Sequence, residues 1–333
     1  MGRVRANTEQ IFSNEKWEKV NKDNKYLLED FTTELRSNKK SDGTIKQYYA
    51  DIRLVFCHIL TDFDNKYILE LNKKDFRRIN LWMIDRGVSN ARTNRVMSAI
   101  RSMLSFAEED DDYEFEVNLA KKVKGLSKEP VREIIFITDE QVYKLREKLR
   151  EMEKYQWMCL LDLAYDSAGR KNELYQVQKH GLLDKNVTNI VIGKRAKKFK
   201  LMYFDRTKES IKLWLGQRGE DDIDCLWVKQ VGDKKHEISG NTIYDWFVEM
   251  SKILSEIEGK NIEFSTHSFR HTALDNLSQG THYMCEKLGK KDGFDISELK
   301  LLANHSDIAT TMSYLKNRDE ELLSSAFGVD LEK

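Results

Sequence analysis

The pattern that decides the fold lies in two stretches near the carboxyl end, THSFRH at residues 266–271 and LLANHSDIATTMSY at residues 301–314. His267 and Arg270 are three residues apart, a spacing that puts both side chains on one face of a helix. His305 and Tyr314 are nine residues apart, or roughly two and a half helical turns. Two imidazoles, a guanidinium and a phenol suit phosphoryl chemistry with a tyrosine nucleophile, provided that a second Arg and a Lys lie upstream.

Both cations are present upstream. The segment DSAGRKNEL at residues 166–174 puts Arg170 at the predicted start of a helix and Glu173 one turn later. Lys194 lies in the basic sequence between two β-rich runs, 187–191 and 199–204, which predict a hairpin with a basic tip. The order Arg, Glu, Lys, His, Arg, His, Tyr is therefore complete.

The bulk composition describes a mostly helical protein of two domains. A chain of 333 residues is long enough for two separate cores. One proline and abundant Leu, Lys, Glu and Arg favour helices. No apolar run is long enough to cross a membrane and the first residues lack an apolar export segment, so we expect a cytoplasmic protein. The four cysteines have no paired spacing, which is typical of reduced thiols.

The charges balance to zero overall but are separated along the chain. Between residues 72 and 101 there are eight basic residues and two acidic ones, whereas residues 108–116 hold seven carboxylates. A neutral total is a mild argument against nucleic-acid binding, but the local imbalance favours DNA contact over a merely solvated face. The expected DNA contacts in this cluster are Lys73, Lys74, Arg77, Arg78, Arg92, Arg95 and Arg101.

Apolar spacing and turn residues predict the domain layout. We expect a flexible arm at 1–20, a four-helix DNA-binding domain at 21–116, a linker at 117–135 and a second domain at 136–333. The linker is basic and holds the only proline, Pro130. The second domain begins at a capping box on Thr138. Its later helices are predicted at 207–215, 241–257, 268–277, 297–302, 307–315 and 319–327.

The ordered set resembles the catalytic residues of the tyrosine recombinase (phage integrase) family, and the N-terminal helices are similar to that family's core-binding domain. The resemblance implies a mainly α fold with a small β-hairpin or sheet. The N-terminal four-helix core-binding domain and an α/β catalytic domain would form a clamp around duplex DNA. The residues that carry the resemblance are Arg170, Glu173, Lys194, His267, Arg270, His305 and Tyr314.

This resemblance implies a site-specific DNA recombinase or integrase of a phage or mobile element. It would cut and rejoin double-stranded DNA through a 3′-phosphotyrosyl intermediate, as a homo-oligomer (dimer or tetramer), with no cofactor and no metal. Accessory proteins are compatible with such a reaction. The helix at 319–327 is expected to pack on a neighbouring protomer.

Each residue receives a role from the needs of that reaction. Arg170 and Arg270 would clamp the non-bridging oxygens, and His305 would add a donor. Tyr314 is the expected nucleophile, and His267 is its expected base or orienting group. Lys194 resembles the family's general acid for the leaving 5′-hydroxyl, and Glu173 would hold a neighbouring basic or imidazole group. Further DNA contacts are expected from the hairpin residues Arg195, Lys197 and Lys198.

Several alternatives stay open. The acid could be one of the neighbouring cations, including Lys200, rather than Lys194. A zinc site on His267 and His271 is weak because no fourth well-spaced ligand is present. Asn304 occupies a position where the family usually has Gly, and an insertion of roughly a dozen residues is judged from pattern spacing to lie around 281–295. These departures admit a second function, a sequence-specific DNA-binding repressor or regulator that no longer recombines; a metal-dependent nuclease is disfavoured.

Overall fold

A computed structural model describes residues 12–127 and 134–316, and the chain divides into two units between Glu133 and Ile134. Helices dominate both units, and the second also contains two small antiparallel hairpins. The predicted mainly α fold with a small β-hairpin is therefore confirmed. Among the described helices, none combines the length and the apolar character that a membrane span requires.

The N-terminal unit is a bundle whose helices begin at polar caps. Asn72 and Asp75 cap α4 reciprocally, and Ser89 caps α5. The apolar faces of the helices meet in one core that includes Leu27, Phe31 and Ile100. The elements are α1 (Asn14–Lys19), α2 (Lys22–Ser37), α3 (Asp42–Asp62), α4 (Lys73–Asp85) and α5 (Asn90–Glu109), with 3₁₀ turns at Ile68–Glu70 and Leu119–Lys122.

The start of this unit differs from the prediction of a loose arm through residue 20. Ser13 caps α1, and Trp17 packs edge-on against Tyr49 with ring centroids 6.4 Å apart. The Arg53 guanidinium lies 4.9 Å from the Trp17 ring centroid. Aromatic contacts thus attach a polar segment that has little helical periodicity of its own. Residues 1–11 lie outside the described part of the chain.

The first part of the predicted linker also differs from the prediction, because it packs on α5. Arg101 donates from Nε to the Ala120 carbonyl (3.0 Å) and from Nη2 to the Val123 carbonyl (2.8 Å). Asn118 donates back to the Arg101 carbonyl at 3.0 Å. Two small apolar side chains within a basic segment were too weak a signal to predict this packing. Residues 128–133, with Pro130, lie outside the described residues.

The second unit is built around α7 and α11, which lie in its apolar core. Leu160, Phe247 and Phe269 are fully buried there. The predicted capping box at the start of α6 is formed by Thr138 and Gln141. The helices are α6 (Asp139–Glu151), α7 (Tyr155–Ser167), α8 (Lys171–Tyr175), α9 (Asp205–Arg218), α10 (Gly240–Glu258), α11 (Thr266–Ser278), α12 (Tyr283–Lys287), α13 (Ile296–Leu302) and α14 (Ile308–Met312).

Two hairpins complete this unit. The first, predicted from the sequence, pairs β1 (Val187–Ile192) with β2 (Lys198–Met202) and has a 3₁₀ turn, Lys194–Ala196, at its tip. The second pairs β3 (Val228–Val231) with β4 (Lys234–Glu237) and was not predicted. Its strands are polar and mostly exposed, so they lack the apolar alternation that identifies a half-buried strand.

The segment predicted as an insertion, 281–295, packs on the end of α7. Tyr283 Oη donates to Asp166 Oδ1 at 2.8 Å, and the Arg206 guanidinium lies 3.7 Å from the Tyr283 ring centroid. Gly280 and Gly293 have φ of 71° and 86°, and a Cβ on either would lie 2.0 Å from a carbonyl oxygen. Glycine is therefore required where the two ends of this segment cross.

Candidate active site

Arg170, Glu173, Arg270, His305 and Tyr314 come together in the second unit. They come from the α7–α8 junction, α8, α11, the turn after α13 and the residues after α14. The predicted helix at 319–327 lies outside the described residues.

Glu173 is the charge shared by both arginines. It is 2% exposed; its Oε1 accepts from Arg170 Nη1 at 2.9 Å, and its Oε2 accepts from the Arg170 main-chain N–H at 2.8 Å. Arg270 Nη1 lies 3.8 Å from Glu173 Oε2. One carboxylate therefore caps α8 and holds two guanidiniums near each other, which is a more specific arrangement than the predicted support of one neighbouring group.

Arg270 is buried and bonded to the protein. It is 1% exposed, and its terminal nitrogens donate to the carbonyls of Ala168 and Ala303, the latter at 2.8 Å. Its Nε has no partner within the described residues. Burial, together with the nearby Arg170, lowers the pKa of Arg270 to about 10, so the guanidinium is still charged at neutral pH.

Two residues with a left-handed backbone conformation orient the carbonyl groups that accept hydrogen bonds from Arg270. Ala168 has φ of 47°, at the end of α7, and Asn304 has φ of 52°, just after α13. Asn tolerates this conformation better than most residues, although Gly adopts it at lower cost. The departure from the family's usual Gly therefore preserves the turn, which delivers the Ala303 carbonyl and the His305 side chain to the pocket.

His305 is held between Arg270 and Thr311. Arg270 Nη2 lies 2.7 Å from His305 Nε2, and His305 Nδ1 lies 2.9 Å from Thr311 Oγ1. A guanidinium only donates, so Nε2 accepts and the proton of the neutral ring is on Nδ1. Burial and the nearby arginines lower the pKa of His305 to about 3, which keeps the ring neutral. In this state Nε2 does not supply the predicted donor.

Tyr314 lies inside this group and is 9% exposed. Its ring stacks on His271 and on His305, with centroids 4.3 Å and 5.0 Å apart, and the Arg270 guanidinium lies 5.1 Å from its centroid. The His271 Nδ1–H donates to the Tyr314 carbonyl at 2.9 Å. From the sequence, His271 was considered only as a weak zinc ligand. Its position directly after Arg270 gave no other signal of a role.

His267 lies at the edge of the pocket and is exposed. Its ring centroid is 5.5 Å from that of Tyr314. Partial burial lowers the pKa of His267, and the positive charges of Arg270 and Arg170 add to the effect. A neutral imidazole beside a phenol has the chemical character of a proton acceptor.

Lys194 is exposed at the tip of the β1–β2 hairpin, directly after Gly193. A Cβ on Gly193 would lie 2.7 Å from Phe199 Cε1 and 3.1 Å from Glu173 Oε1. The hairpin therefore passes against the carboxylate that binds both arginines, and only a residue without a side chain fits there. Lys197 and Lys198, also expected to contact DNA, are exposed on the same hairpin.

The basic residues of the N-terminal unit are not equivalent. Lys73 and Arg77 line a cleft of about 310 Å³ together with Lys122 and Lys124, two lysines that the sequence assigned to a linker. Lys74, Arg78 and Arg92 also lie on α4 or α5. Arg95, by contrast, makes a two-point ion pair with the buried Asp51 (2.9 and 3.2 Å), and Arg101 bonds two main-chain carbonyls.

The fold and the pocket together point to one class of protein. The chain has two mainly helical units, and the second holds arginines, histidines and a tyrosine around one buried carboxylate. The chain belongs to the phage integrase family, because residues 135–321 match the model of that family. Residues 28–110 match the phage integrase N-terminal SAM-like domain. The resemblance drawn from the sequence is thus confirmed.

Curated relatives match over almost the whole chain. The SPbeta prophage-derived recombinase-like protein YomM of Bacillus subtilis is 26% identical over 321 residues, covering 92% of this chain and 90% of the relative. Tyrosine recombinase XerA of Thermococcus onnurineus is 26% identical over 300 residues, covering 89% and 92%.

Solved structures share the fold. A lambda integrase (75-356) dimer bound to a COC′ core site matches with a TM-score of 0.67 at 14% identity, covering 88% of this chain and 95% of that one. The Tn1549 transposon integrase in complex with circular intermediate DNA matches with a TM-score of 0.63 at 13% identity, covering 90% and 98%.

Proposed function

We propose that this protein is a site-specific DNA recombinase or integrase of a phage or mobile element. The observation that carries the proposal is the convergence of Arg170, Arg270, His305 and Tyr314 around Glu173. Membership of the phage integrase family and the relatives named as recombinases support it. In such a role the protein would act on DNA in the cytoplasm.

The cleavage step uses Tyr314 as the nucleophile. Its Oη attacks the phosphorus of a phosphodiester, the bond from phosphorus to the 5′ oxygen breaks, and a 3′-phosphotyrosyl ester forms. Attack by a 5′-hydroxyl on that ester reverses the step and rejoins DNA. Because one ester replaces another, no ATP is consumed.

The two arginines have different parts in this step. Arg170 is 29% exposed and gives one of its five N–H donors to Glu173, so other donors remain for a non-bridging oxygen. Arg270 is buried and contributes a fixed charge, and its Nε is a donor atom without a partner in the part of the chain that the structure describes. His305 donates from Nε2 only if a phosphate oxygen replaces Arg270 Nη2 at that nitrogen and the Thr311 hydroxyl donates to Nδ1 instead of accepting, since a guanidinium cannot accept whereas a hydroxyl does either.

Two protons move in this step. The Tyr314 proton passes to His267, whose lowered pKa keeps it neutral and able to accept. The departing 5′ oxygen takes a proton from Lys194, which lies one residue after Gly193 at the contact with Glu173.

DNA binding would use both units. We propose that residues 21–116 act as a core-binding domain, 117–135 as the linker and 136–333 as the catalytic domain. The cleft of Lys73 and Arg77 is the favoured phosphate contact of the first, while Arg95 and Arg101 support its structure. Lambda integrase has been solved as a dimer and as a tetramer on DNA, and we propose a dimer or tetramer here too.

The test uses a pool of duplexes with a randomised core and a single nick, so that the short strand released on cleavage diffuses away. Wild-type protein should give SDS-resistant protein–DNA complexes, and Tyr314→Phe should give none while still binding the selected sites. If selected sites are bound specifically and no wild-type adduct forms, the regulator replaces the recombinase as the assigned function.

A further inference from the structure

Helix α11 carries both a reacting group and two anchors for the nucleophile segment. Arg270 projects from it into the pocket. The next residue, His271, bonds the Tyr314 carbonyl, and Asp275 accepts from the Lys316 main-chain N–H at 3.0 Å. His271 and Asp275 are four residues apart and so lie one above the other on the helix.

We propose that His271 is a positioning residue that fixes the main chain of Tyr314 relative to Arg270, through its Nδ1–H hydrogen bond and its ring stack. This inference rests on the proposed function, in which Tyr314 is the nucleophile. His271 does not take part in either proton transfer of that function.

The hydrogen bond fixes one tautomer of His271. A carbonyl oxygen only accepts, so the proton must be on Nδ1. His271 is 4% exposed, and its ring meets that of Tyr314 at 27° with centroids 4.3 Å apart. The same side chain therefore contacts both the backbone and the ring of the nucleophile, which limits how far the phenol can swing.

The geometry matters because the phenol must lie in line with the leaving oxygen. A misplacement of about 1 Å can lower a rate on the order of 100-fold. Tyr314 follows the five-residue helix α14, which provides little stiffness by itself. Anchors at residues 314 and 316 transfer the rigidity of the thirteen-residue α11 to this segment.

Two substitutions separate the hydrogen bond from the ring. His271→Phe keeps an aromatic ring but removes the donor, and His271→Asn keeps a donor at a similar distance from the backbone. His282→Phe is the matched control, since His282 is also buried and stacked, on Tyr165 at 4.3 Å, and lies outside the pocket.

The first measurement is amide hydrogen exchange of the peptide 308–316, which does not depend on activity. His271→Phe should speed exchange there, and His271→Asn should restore most of the protection. The second is single-turnover adduct formation at saturating DNA. It should fall on the order of 100-fold in His271→Phe, recover in His271→Asn and stay at the wild-type rate in His282→Phe.

Wild-type exchange and adduct rates in His271→Phe would overturn the inference. So would equal losses in His271→Phe and His271→Asn accompanied by an equal fall in unfolding temperature, because that result assigns His271 to general packing. If wild-type protein forms no adduct but the exchange pattern is as expected, the proposed function fails and the anchoring role of His271 stands.

Discussion

The two sides of the pocket are organised differently. On the buried side, α11 and residues 296–316 present Arg270, His305 and Tyr314, which are at most 9% exposed. On the hairpin side, residues 193–198 present Lys194, an exposed side chain with no hydrogen bond or ion pair among the described residues. The difference teaches that the groups proposed to stabilise charge and to attack are held by contacts within the protein, whereas the proposed proton donor is not held in this way.

Replacing Arg270 should have the largest effect, because Arg270 is buried and bonded within the protein and also has a proposed role in the reaction. Arg270→Gln leaves the buried Glu173 with one partner fewer, and we expect the free energy of unfolding to fall by about 3 kcal/mol or more. Adduct formation should fall on the order of 100-fold or more. Urea unfolding and the nicked-substrate assay measure the two effects.

Arg170→Gln provides the contrast for Arg270, since Arg170 is 29% exposed. Arg170→Gln should lose adduct formation, but its free energy of unfolding should fall by less than that of Arg270→Gln. If the free energy of unfolding fell equally in the two variants, the burial of Arg270 would not make it more important for stability than Arg170.

Lys194→Ala should affect chemistry alone. We expect adduct formation to fall on the order of 100-fold, the scale of a lost general acid, with no change in urea unfolding. A substrate with sulfur in place of the 5′ bridging oxygen should restore the rate, because a thiolate leaves without a proton. Lys200→Ala is the control; if sulfur rescues that variant and not Lys194→Ala, the acid is Lys200.

The buried side should also show its own pH dependence. The pKa of His305 is about 3 in the folded protein and roughly 6.5 in an unfolded chain. Between these values the unfolded state binds the proton more tightly, so the stability that His305 contributes is complete above about pH 6.5 and is lost as pH falls.

His305→Asn isolates this contribution from Asp162 and Asp166, whose raised pKa values of about 6 and about 7 act in the opposite direction. The stability difference between wild type and variant should shrink by about 2 kcal/mol from pH 7.5 to pH 5. Urea unfolding at the two pH values measures it, and a constant difference would mean that the folded and unfolded states bind the His305 proton equally, so that burial does not lower the pKa of His305.

The turn at Asn304 should give the smallest effect. Asn304→Gly should leave stability unchanged or slightly higher, and Asn304→Ala should lower the free energy of unfolding by about 1 kcal/mol, since φ of 52° disfavours a Cβ. Thermal unfolding distinguishes the two variants. If Asn304→Ala were as stable as the wild type, the left-handed turn at residue 304 would not be needed to hold the buried side of the pocket.

Much of the fold was predictable from local chemistry. The capping box at the start of α6 follows from Thr138 and Gln141, whose side chains bond the backbone there. The β1–β2 hairpin follows from two β-rich runs around a basic turn. The seven candidate residues were identified by type and order, and the structure brings Arg170, Glu173, Arg270, His305 and Tyr314 together. Their catalytic roles stay predictions.

What could not be predicted depends on contacts between distant segments. The carbonyls of Ala168 and Ala303 hold Arg270 although neither residue has a functional side chain. The bond from His271 to Tyr314 spans 43 residues. The packing of Ala120 and Val123 on α5 depends on an arginine that sequence reasoning assigned to DNA.

The carboxylate shared by the two arginines sets which phosphate species the pocket suits. With the histidines neutral, Arg170 and Arg270 against Glu173 leave one net positive charge, which balances the single negative charge of a phosphodiester. The pentavalent transition state carries a second negative charge once Tyr314 gives its proton to His267, and the resulting imidazolium carries the matching positive charge. In the proposed reaction, the buried side neutralises the bound diester, His267 balances the charge that only the transition state adds, and the proton from Lys194 removes the charge that develops on the leaving oxygen.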